Sequence, residues 1–187
     1  MWADAAQVGA LEGSLLIGFL LGIAIVAVYT IRVGVPPMPS NRAARLAMLK
    51  LLPEKVDGTV YDLGSGWGGL AFDLARKYPD NPVVGIELSP IPYLVSWLRA
   101  LLIRRPNLTF RRVDFLKVDL SEAGALTCYL MIWAMRRLEP KLRAELNPGT
   151  VVVSHAFAFV AWKHEAHVIV PEAGSAWIYR YQMELTP

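Results

Sequence analysis

Apolar and polar positions divide the chain into two unlike stretches. From Gly13 to Ile31 no side chain is charged, and Leu, Ile, Val and Phe fill most positions. Such a run reads as one helix able to span a bilayer, which takes about 17–25 residues. Beyond it, short apolar runs alternate with helical patterns. Thr59–Leu63, Pro82–Ile86, Leu108–Val113 and Val151–Phe157 read as strands, and Ala125–Trp133 as an apolar, strand-like run. Helices are predicted over Ser40–Leu52 with Ser40 as N-cap, over Gly69–Lys77, over Pro90–Arg104, and over Leu138–Leu146 with Pro140 interrupting its start. His167–Pro171 and Ala176–Met183 form a closing hairpin around Glu172-Ala173-Gly174-Ser175. Strands alternating with helices predict an α/β domain with a parallel sheet covered on both faces. Four segments result: a short N-terminal segment 1–12, a transmembrane helix 13–31, a stiff proline-rich linker 32–39 and a folded domain 40–187.

Composition sharpens the first segment. Of 187 residues 55% are hydrophobic and 19% charged, against about 45–50% and about 25% in soluble domains. That tilt excludes a disordered chain and suits a segment that meets lipid. Met1–Glu12 holds Asp4 and Glu12 but no Lys or Arg, and no small-x-small site follows the apolar run before Arg32. A retained anchor is therefore expected rather than a cleaved signal peptide. Arg32, Arg42, Arg45, Lys50 and Lys55 all follow the helix. The positive-inside rule then gives a single-pass protein with its domain in the cytoplasm. Gly18 and Gly22 make a G-x-x-x-G pair, a close-packing option for a second helix.

Charge and cysteine usage exclude other classes. A net charge of +3 falls short of a dedicated nucleic-acid surface, so no nucleic-acid partner is expected. One cysteine, Cys128, excludes a disulfide scaffold and a cysteine-based zinc site. His164-Glu165-x-His167 fits no standard helical zinc spacing, so no metal is expected. Basic residues cluster at Arg99, Arg104, Arg105, Arg111 and Arg112, and at Arg136, Arg137, Lys141 and Arg143. They read as solvated faces or as attraction to anionic headgroups.

The stretch from Val60 to Gly69 carries the chemistry. A strand enters a turn with glycine at 64, 66, 68 and 69, and a helix follows. Glycines there let the backbone turn sharply and approach a ligand, while the helix N-terminus adds oriented N–H groups. Glu87 ends the next strand, where a carboxylate can accept from both hydroxyls of a ribose. Gly64, Gly66 and Gly69 also satisfy G-x-G-x-x-G, which keeps a nicotinamide dinucleotide as a competing ligand. Against it stand Asp62 inside the strand, where dinucleotide folds are usually apolar, and a chain too short for a separate substrate domain.

Asp62-x-Gly64-x-Gly66-x-Gly68 resembles the first motif of the class I S-adenosylmethionine-dependent methyltransferases. The resemblance implies a Rossmann-like, seven-stranded, mostly parallel sheet with antiparallel sixth and seventh strands. It implies S-adenosylmethionine as cofactor and S-adenosylhomocysteine as product. Asp62, Gly64, Ser65, Gly66, Trp67 and Gly68 would form the cofactor loop, Glu87 and Leu88 the ribose site, and Asp114 and Phe115 the adenine site. More narrowly, Pro37-x-Pro39-Ser40, the anchor, Ile86-Glu87-Leu88-Ser89-Pro90 and Phe157-x-Phe159-x-x-Trp162 resemble one subgroup. These are the membrane-anchored lysine methyltransferases that act on the ATP synthase c subunit and the adenine nucleotide carrier. The chain departs from that pattern at Trp67, where Asp is usual, and at His155-Ala156, where a basic residue commonly precedes the aromatic pair. Both departures bear on substrate choice more than on cofactor choice.

A lysine nucleophile must be neutral, and an apolar pocket beside a cation lowers its pKa from about 10.4. Aromatic walls suit such a pocket. Trp67, Tyr93, Trp133, Phe157, Phe159 and Trp162 are candidates, each also readable as core. Trp133 stands out because it is placed at the carboxyl end of the fourth strand. His155 reads as a proton acceptor or as a hydrogen-bonded structural histidine. The catalytic candidates are thus Trp133, His155, Phe157 and Trp162. Met131-Ile132-Trp133-Ala134-Met135 lacks the Asn/Asp-Pro-Pro-aromatic signature of enzymes that methylate planar amides and base amines. The expected function is a membrane-anchored protein-lysine N-methyltransferase acting on a membrane-protein substrate in the same lipid bilayer. The alternatives are a methyltransferase for a phospholipid amine or quinone-type lipid, and a non-enzymatic S-adenosylmethionine-binding adaptor.

Overall fold

The apolar run and the alternating pattern separate physically in the computed structural model, which describes residues 2–33 and 40–184. The chain divides into two units at Pro36/Pro37. In the first, α1 (Trp2–Val33) is a single helix. Its segment Leu11–Val28 is long and apolar enough to cross a membrane. Leu15, Ile17 and Phe19 on it are exposed. Of the linker expected over residues 32–39, the first two belong to α1, and residues 34–39 lie outside those described.

In the second unit the elements run α2 (Arg42–Leu51), β1 (Thr59–Leu63), α3 (Gly69–Lys77), β2 (Val83–Ile86), α4 (Pro90–Ile103) and β3 (Leu108–Arg111). They continue with β4 (Ala123–Cys128), α5 (Ile132–Glu145), β5 (Val151–His155), β6 (Ala166–Val170) and β7 (Ala176–Gln182). The seven strands form one sheet in the order β3-β2-β1-β4-β5-β7-β6. Strands β1 to β5 are parallel, and β7 pairs antiparallel with both β5 and β6. This is the Rossmann-like arrangement with its antiparallel closing pair.

Alternation along the strands makes two cores. Val60, Val83, Phe110, Ala125, Val151 and Val153 face the side packed by α2 and α3. Tyr61, Leu63, Leu126, Cys128 and Val152 face the side packed by Leu138 and Leu142 of α5.

Three boundaries differ from the sequence reading. The N-cap of α2 is Asn41, whose Oδ1 accepts from the Ala44 N–H at 2.8 Å; Ser40 does not cap it. The strand expected over Ala125–Trp133 ends at Cys128, and Trp133 lies in the first turn of a helix. That run is apolar but for Thr127, and a short apolar run carries no periodicity that separates strand from helix. Finally, α5 continues through Pro140. The buried side chains of Leu138 and Leu142 flank the proline and hold the helix across its missing N–H.

One close approach fixes the site end of the sheet. Gly85 of β2 lies beneath the Phe110 ring, so that a Cβ at Gly85 would stand 2.5 Å from two ring carbons. The same ring reaches Gly68, where a Cβ would stand 2.7 Å from its tip. Gly85→Ala is expected to destabilise the domain by about 1–3 kcal/mol, the cost of overpacking. Combining it with Phe110→Leu should recover part of that loss, and the non-additivity is read by denaturant unfolding of both single variants and the pair.

Candidate active site

The register aligns the strand ends. Leu63 pairs with Ile86 and Cys128, Ile86 with Arg111, and Cys128 with Ser154. The residues one step further along β1, β2, β4 and β5 are therefore Gly64, Glu87, Tyr129 and His155, in a row on one edge. Strand order reverses direction between β1 and β4, and in open α/β sheets such a switch point opens a crevice at the carboxyl ends.

The loop after β1 is shaped by backbone that only glycine adopts easily. Gly64, Gly66 and Gly68 have φ of 75°, 53° and 82°. The Gly64 and Ser65 N–H groups both donate to the Ile86 carbonyl at 2.9 Å, tying the loop to β2. Gly68 then caps α3. A Cβ at Gly66 would meet nothing within 4 Å, so the backbone there borders open space. The Trp67 carbonyl accepts from Arg99 of α4, whose guanidinium lies 5.0 Å over the Phe72 ring.

Asp62 supports this loop from below. It is buried, and its Oδ1 accepts from the Thr127 hydroxyl at 2.9 Å. Burial pushes its pKa up to about 7, the Thr127 bond opposes the rise, the Glu87 charge adds to it, and the Ala71 N–H lowers it again. Glu87 binds backbone on both sides. Its Oε2 accepts from the Gly66 N–H at 2.9 Å and its Oε1 from the Ser89 N–H at 2.7 Å. Leu88 is exposed beside it. Asp114 Oδ1 accepts from the Leu116 N–H at 3.0 Å and opens the 3-10 turn Phe115–Lys117. Phe115 packs partly buried against the α5-side core.

A family model described as the ANTKMT methyltransferase domain matches residues 62–166, more than half of the chain. The chain belongs to that family. Among relatives, a protein-lysine N-methyltransferase of Saccharolobus islandicus is 33% identical over 147 residues, covering 75% of this chain and 88% of that one. The adenine nucleotide translocase lysine N-methyltransferase of Mus musculus is 32% identical over 125 residues, covering 65% of this chain and 53% of its own length. The chain thus spans about half of the mouse enzyme. A structure titled RNA methyltransferase from Salinibacter ruber, in complex with S-adenosylhomocysteine, superposes with a TM-score of 0.71 at 31% identity. That match covers 80% of this chain and 96% of the other.

As a member of the ANTKMT methyltransferase domain family, the chain is an S-adenosylmethionine-dependent methyltransferase. Its crevice fits that cofactor. The backbone is open above Gly66, and Ser65 Oγ beside it is buried without a hydrogen-bond partner.

The far side of the crevice is built around His155. Its ring is buried, its Nδ1 lies 3.3 Å from Ser40 Oγ, and the Tyr129 ring packs against it, tilted, at 4.1 Å between centroids. Burial lowers its pKa, which keeps the imidazole neutral. Among the described residues, His155 Nε2 and Ser65 Oγ are the buried side-chain polar atoms without a partner. The backbone after His155 is locked. Ala156 has φ 67°, a strained value for a residue with a Cβ, inside a turn closed by the Phe157 N–H on the His155 carbonyl at 2.9 Å. Ser154 Oγ donates to the Phe157 carbonyl at 2.9 Å and secures the same turn.

The other sequence candidates spread out. Phe157 packs partly buried against the α5-side core. Trp162 is buried in a cluster with Phe159 and Tyr181, at 5.5 and 5.3 Å between ring centroids. Trp133 is 37% exposed on α5. Tyr129 and Ser40 were not singled out from the sequence. Tyr129 lies in an apolar run whose strand end the sequence does not mark, and Ser40 reads there as a helix cap.

The buried Asp62 gives stability a measurable pH dependence. An unfolded Asp releases its proton near pH 4, the native one near 7, so between those values the native state binds more protons and loses stability as pH rises. His155 contributes with the opposite sign, because its pKa is lowered on folding. Asp62→Asn keeps an acceptor for Thr127 and removes only the first contribution. Denaturant unfolding without cofactor at pH 5 and pH 8 should show the native protein losing over 1 kcal/mol, on the order of a one-unit shift, relative to the Asn variant. Parallel losses in the two proteins would refute a raised pKa at Asp62.

Proposed function

We propose that the chain is a membrane-anchored protein-lysine N-methyltransferase whose substrate is a membrane protein. Segment 13–31 of α1 is the anchor, residues 32–39 are the linker, and the catalytic domain of residues 40–187 faces the cytoplasm. The reading rests on one juxtaposition: the neutral His155 with its unpartnered Nε2 and the Tyr129 ring, in the row that also holds Gly64 and Glu87. Lysine as acceptor comes from the names of the Saccharolobus and mouse relatives. The membrane setting comes from Leu11–Val28 and from the basic residues after it.

When bound, S-adenosylmethionine supplies a methyl group on a positively charged sulfur. The chain's own residues do the rest. Gly64, Ser65, Gly66, Trp67 and Gly68 hold the loop against the cofactor, Asp62 supports them, Glu87 and Leu88 take the ribose, and Asp114 and Phe115 the adenine. Tyr129 and His155 wall the acceptor side, with Phe157 and Trp162 stiffening the segment behind them and Trp133 at its rim. An apolar wall disfavours the ammonium form of the incoming lysine. As the carbon–nitrogen bond forms and the carbon–sulfur bond breaks, the nitrogen must lose a proton, and we assign its acceptance to His155, whose Nε2 has no other partner among the described residues.

The Salinibacter structure, titled RNA methyltransferase, supports a second reading at 31% identity. The segment after β4 here is Tyr129-Leu130-Met131-Ile132-Trp133, without the Asn/Asp-Pro-Pro-aromatic signature.

Three measurements test these assignments. Glu87→Ala removes a charge-assisted acceptor and should weaken S-adenosylhomocysteine binding by about 1.5–3 kcal/mol in calorimetry. Unchanged affinity would move the ribose site elsewhere. For the acceptor, full-length protein in vesicles receives labelled cofactor together with a membrane-protein fraction, its lipid extract and RNA. Label should enter protein and disappear when lysines are chemically blocked first; label in lipid or RNA rejects the lysine reading. His155→Ala should cut kcat by about 10²-fold if it takes the proton, with cofactor affinity retained.

A further inference from the structure

The helix α4 is apolar on the side where a soluble domain is polar. Leu94, Trp97, Leu98, Leu101 and Leu102 recur at helical spacing along one stripe, and all five face outward. Leu94 is 50% exposed, Leu101 54% and Leu102 83%. The inward face carries smaller or more polar groups: Ser96 is buried beside Gly68, while Tyr93 and Ala100 pack against the core. An amphipathic helix covering a sheet has the reverse distribution. A contiguous exposed apolar stripe marks a surface that is covered in use.

The charge around the stripe identifies the cover. From Leu88 to Val113 the chain carries five arginines and no acidic residue. Arg99 turns inward to the Trp67 carbonyl and the Phe72 ring. Arg104 and Arg105, just past the end of α4, and Arg111 and Arg112, at the end of β3, are exposed. Arg112 Nε donates to the Leu88 carbonyl at 3.4 Å, which places it beside the start of the helix. Leucine and tryptophan flanked by arginine is the chemistry of a helix lying in the interface of an anionic bilayer. An apolar protein partner would need no such ring of positive charge.

We propose that α4 is a second membrane contact, separate from α1. Its outer stripe sits at the headgroup–acyl boundary of an anionic lipid surface, with Arg104 and Arg105 at the phosphates. This goes beyond the proposed function, because it concerns how the domain itself meets lipid and does not depend on lysine as acceptor. It also bears on the site. Helix α4 starts immediately after Glu87 and Ser89 and is tied to the glycine loop through Arg99. Seating it on lipid therefore holds the cofactor crevice at a fixed height above the surface.

The test uses the full chain with a spin label at Leu101→Cys, and at Ala144→Cys on α5 as the control; both positions are exposed. Native Cys128 is buried, which protects it from labelling. The protein is mixed with vesicles of phosphatidylcholine and phosphatidylglycerol, and with phosphatidylcholine alone. Flotation reports insertion of α1, and the labels report α4 independently. With anionic vesicles the Leu101→Cys label should be shielded from an aqueous nickel relaxant and reached by oxygen, while the Ala144→Cys label stays in water. Adding Arg104→Glu and Arg105→Glu should lower the shielded-to-exposed ratio at least about thirtyfold, the effect of two surface arginines. Unchanged S-adenosylhomocysteine binding confirms that the variants are folded. A Leu101→Cys label in water on anionic vesicles overturns the proposal, whether or not the chain floats. So does shielding that survives the charge reversal, or label–label coupling that grows with protein concentration, which assigns the cover to a second copy.

Discussion

A single buried carboxylate ties together the two strands and the helix from which the glycine loop is hung. Asp62 lies at the carboxyl end of β1, pairs in register with Thr127 of β4 and Gly85 of β2, and meets the Ala71 N–H in the first turn of α3. Taking a carboxylate out of water is costly unless it is hydrogen-bonded or protonated. Here two donors and a pKa pushed up to about 7 share that cost. In return the group joins two strands and a helix across the switch point, so the glycine loop that springs from β1 has fixed walls. Glu87 completes the arrangement from the side, because its two oxygens each hold a different stretch of backbone. Its position is set by the loop that it serves.

Legibility from the sequence followed the strength of the local signal. The glycine loop was readable because its backbone demands residues of one type: three left-handed positions in alternation leave little choice but glycine. The alternating strands and the closing hairpin were readable from periodicity and turn residues. The edge between β4 and α5 was not, because Ala125–Trp133 is apolar but for Thr127 and β4 is buried on both faces, which leaves no alternation to mark its end. With no edge marked, the reading carries the fourth strand to Trp133 where the structure ends it at Cys128, and Tyr129, the residue that follows, goes unmarked. Gly85 and Phe110 were invisible for another reason. Their importance is a cross-strand contact, and nothing near either residue announces the other. Ser40 shows a third kind of failure, since a capping residue and a residue reaching across 115 positions to His155 look identical in sequence.

The two titratable groups that frame the crevice are both held away from their ionised forms, by the same cause acting in opposite directions. Burial raises Asp62 and lowers His155. Near neutral pH the imidazole is therefore uncharged and the carboxyl is close to its midpoint. A cation brought near an acid favours its ionised form. On the proposed reading, Asp62 and Glu87 would supply negative charge on the side that holds the sulfonium, while His155 leaves the acceptor side neutral. A lysine can attack only as the uncharged amine, and a neutral imidazole leaves no fixed positive charge on that side of the crevice to oppose the sulfonium. The strain at Ala156 fits this division of labour. A turn that costs conformational energy is kept where it fixes the direction of His155, the one ring in the row whose second nitrogen has no partner among the described residues.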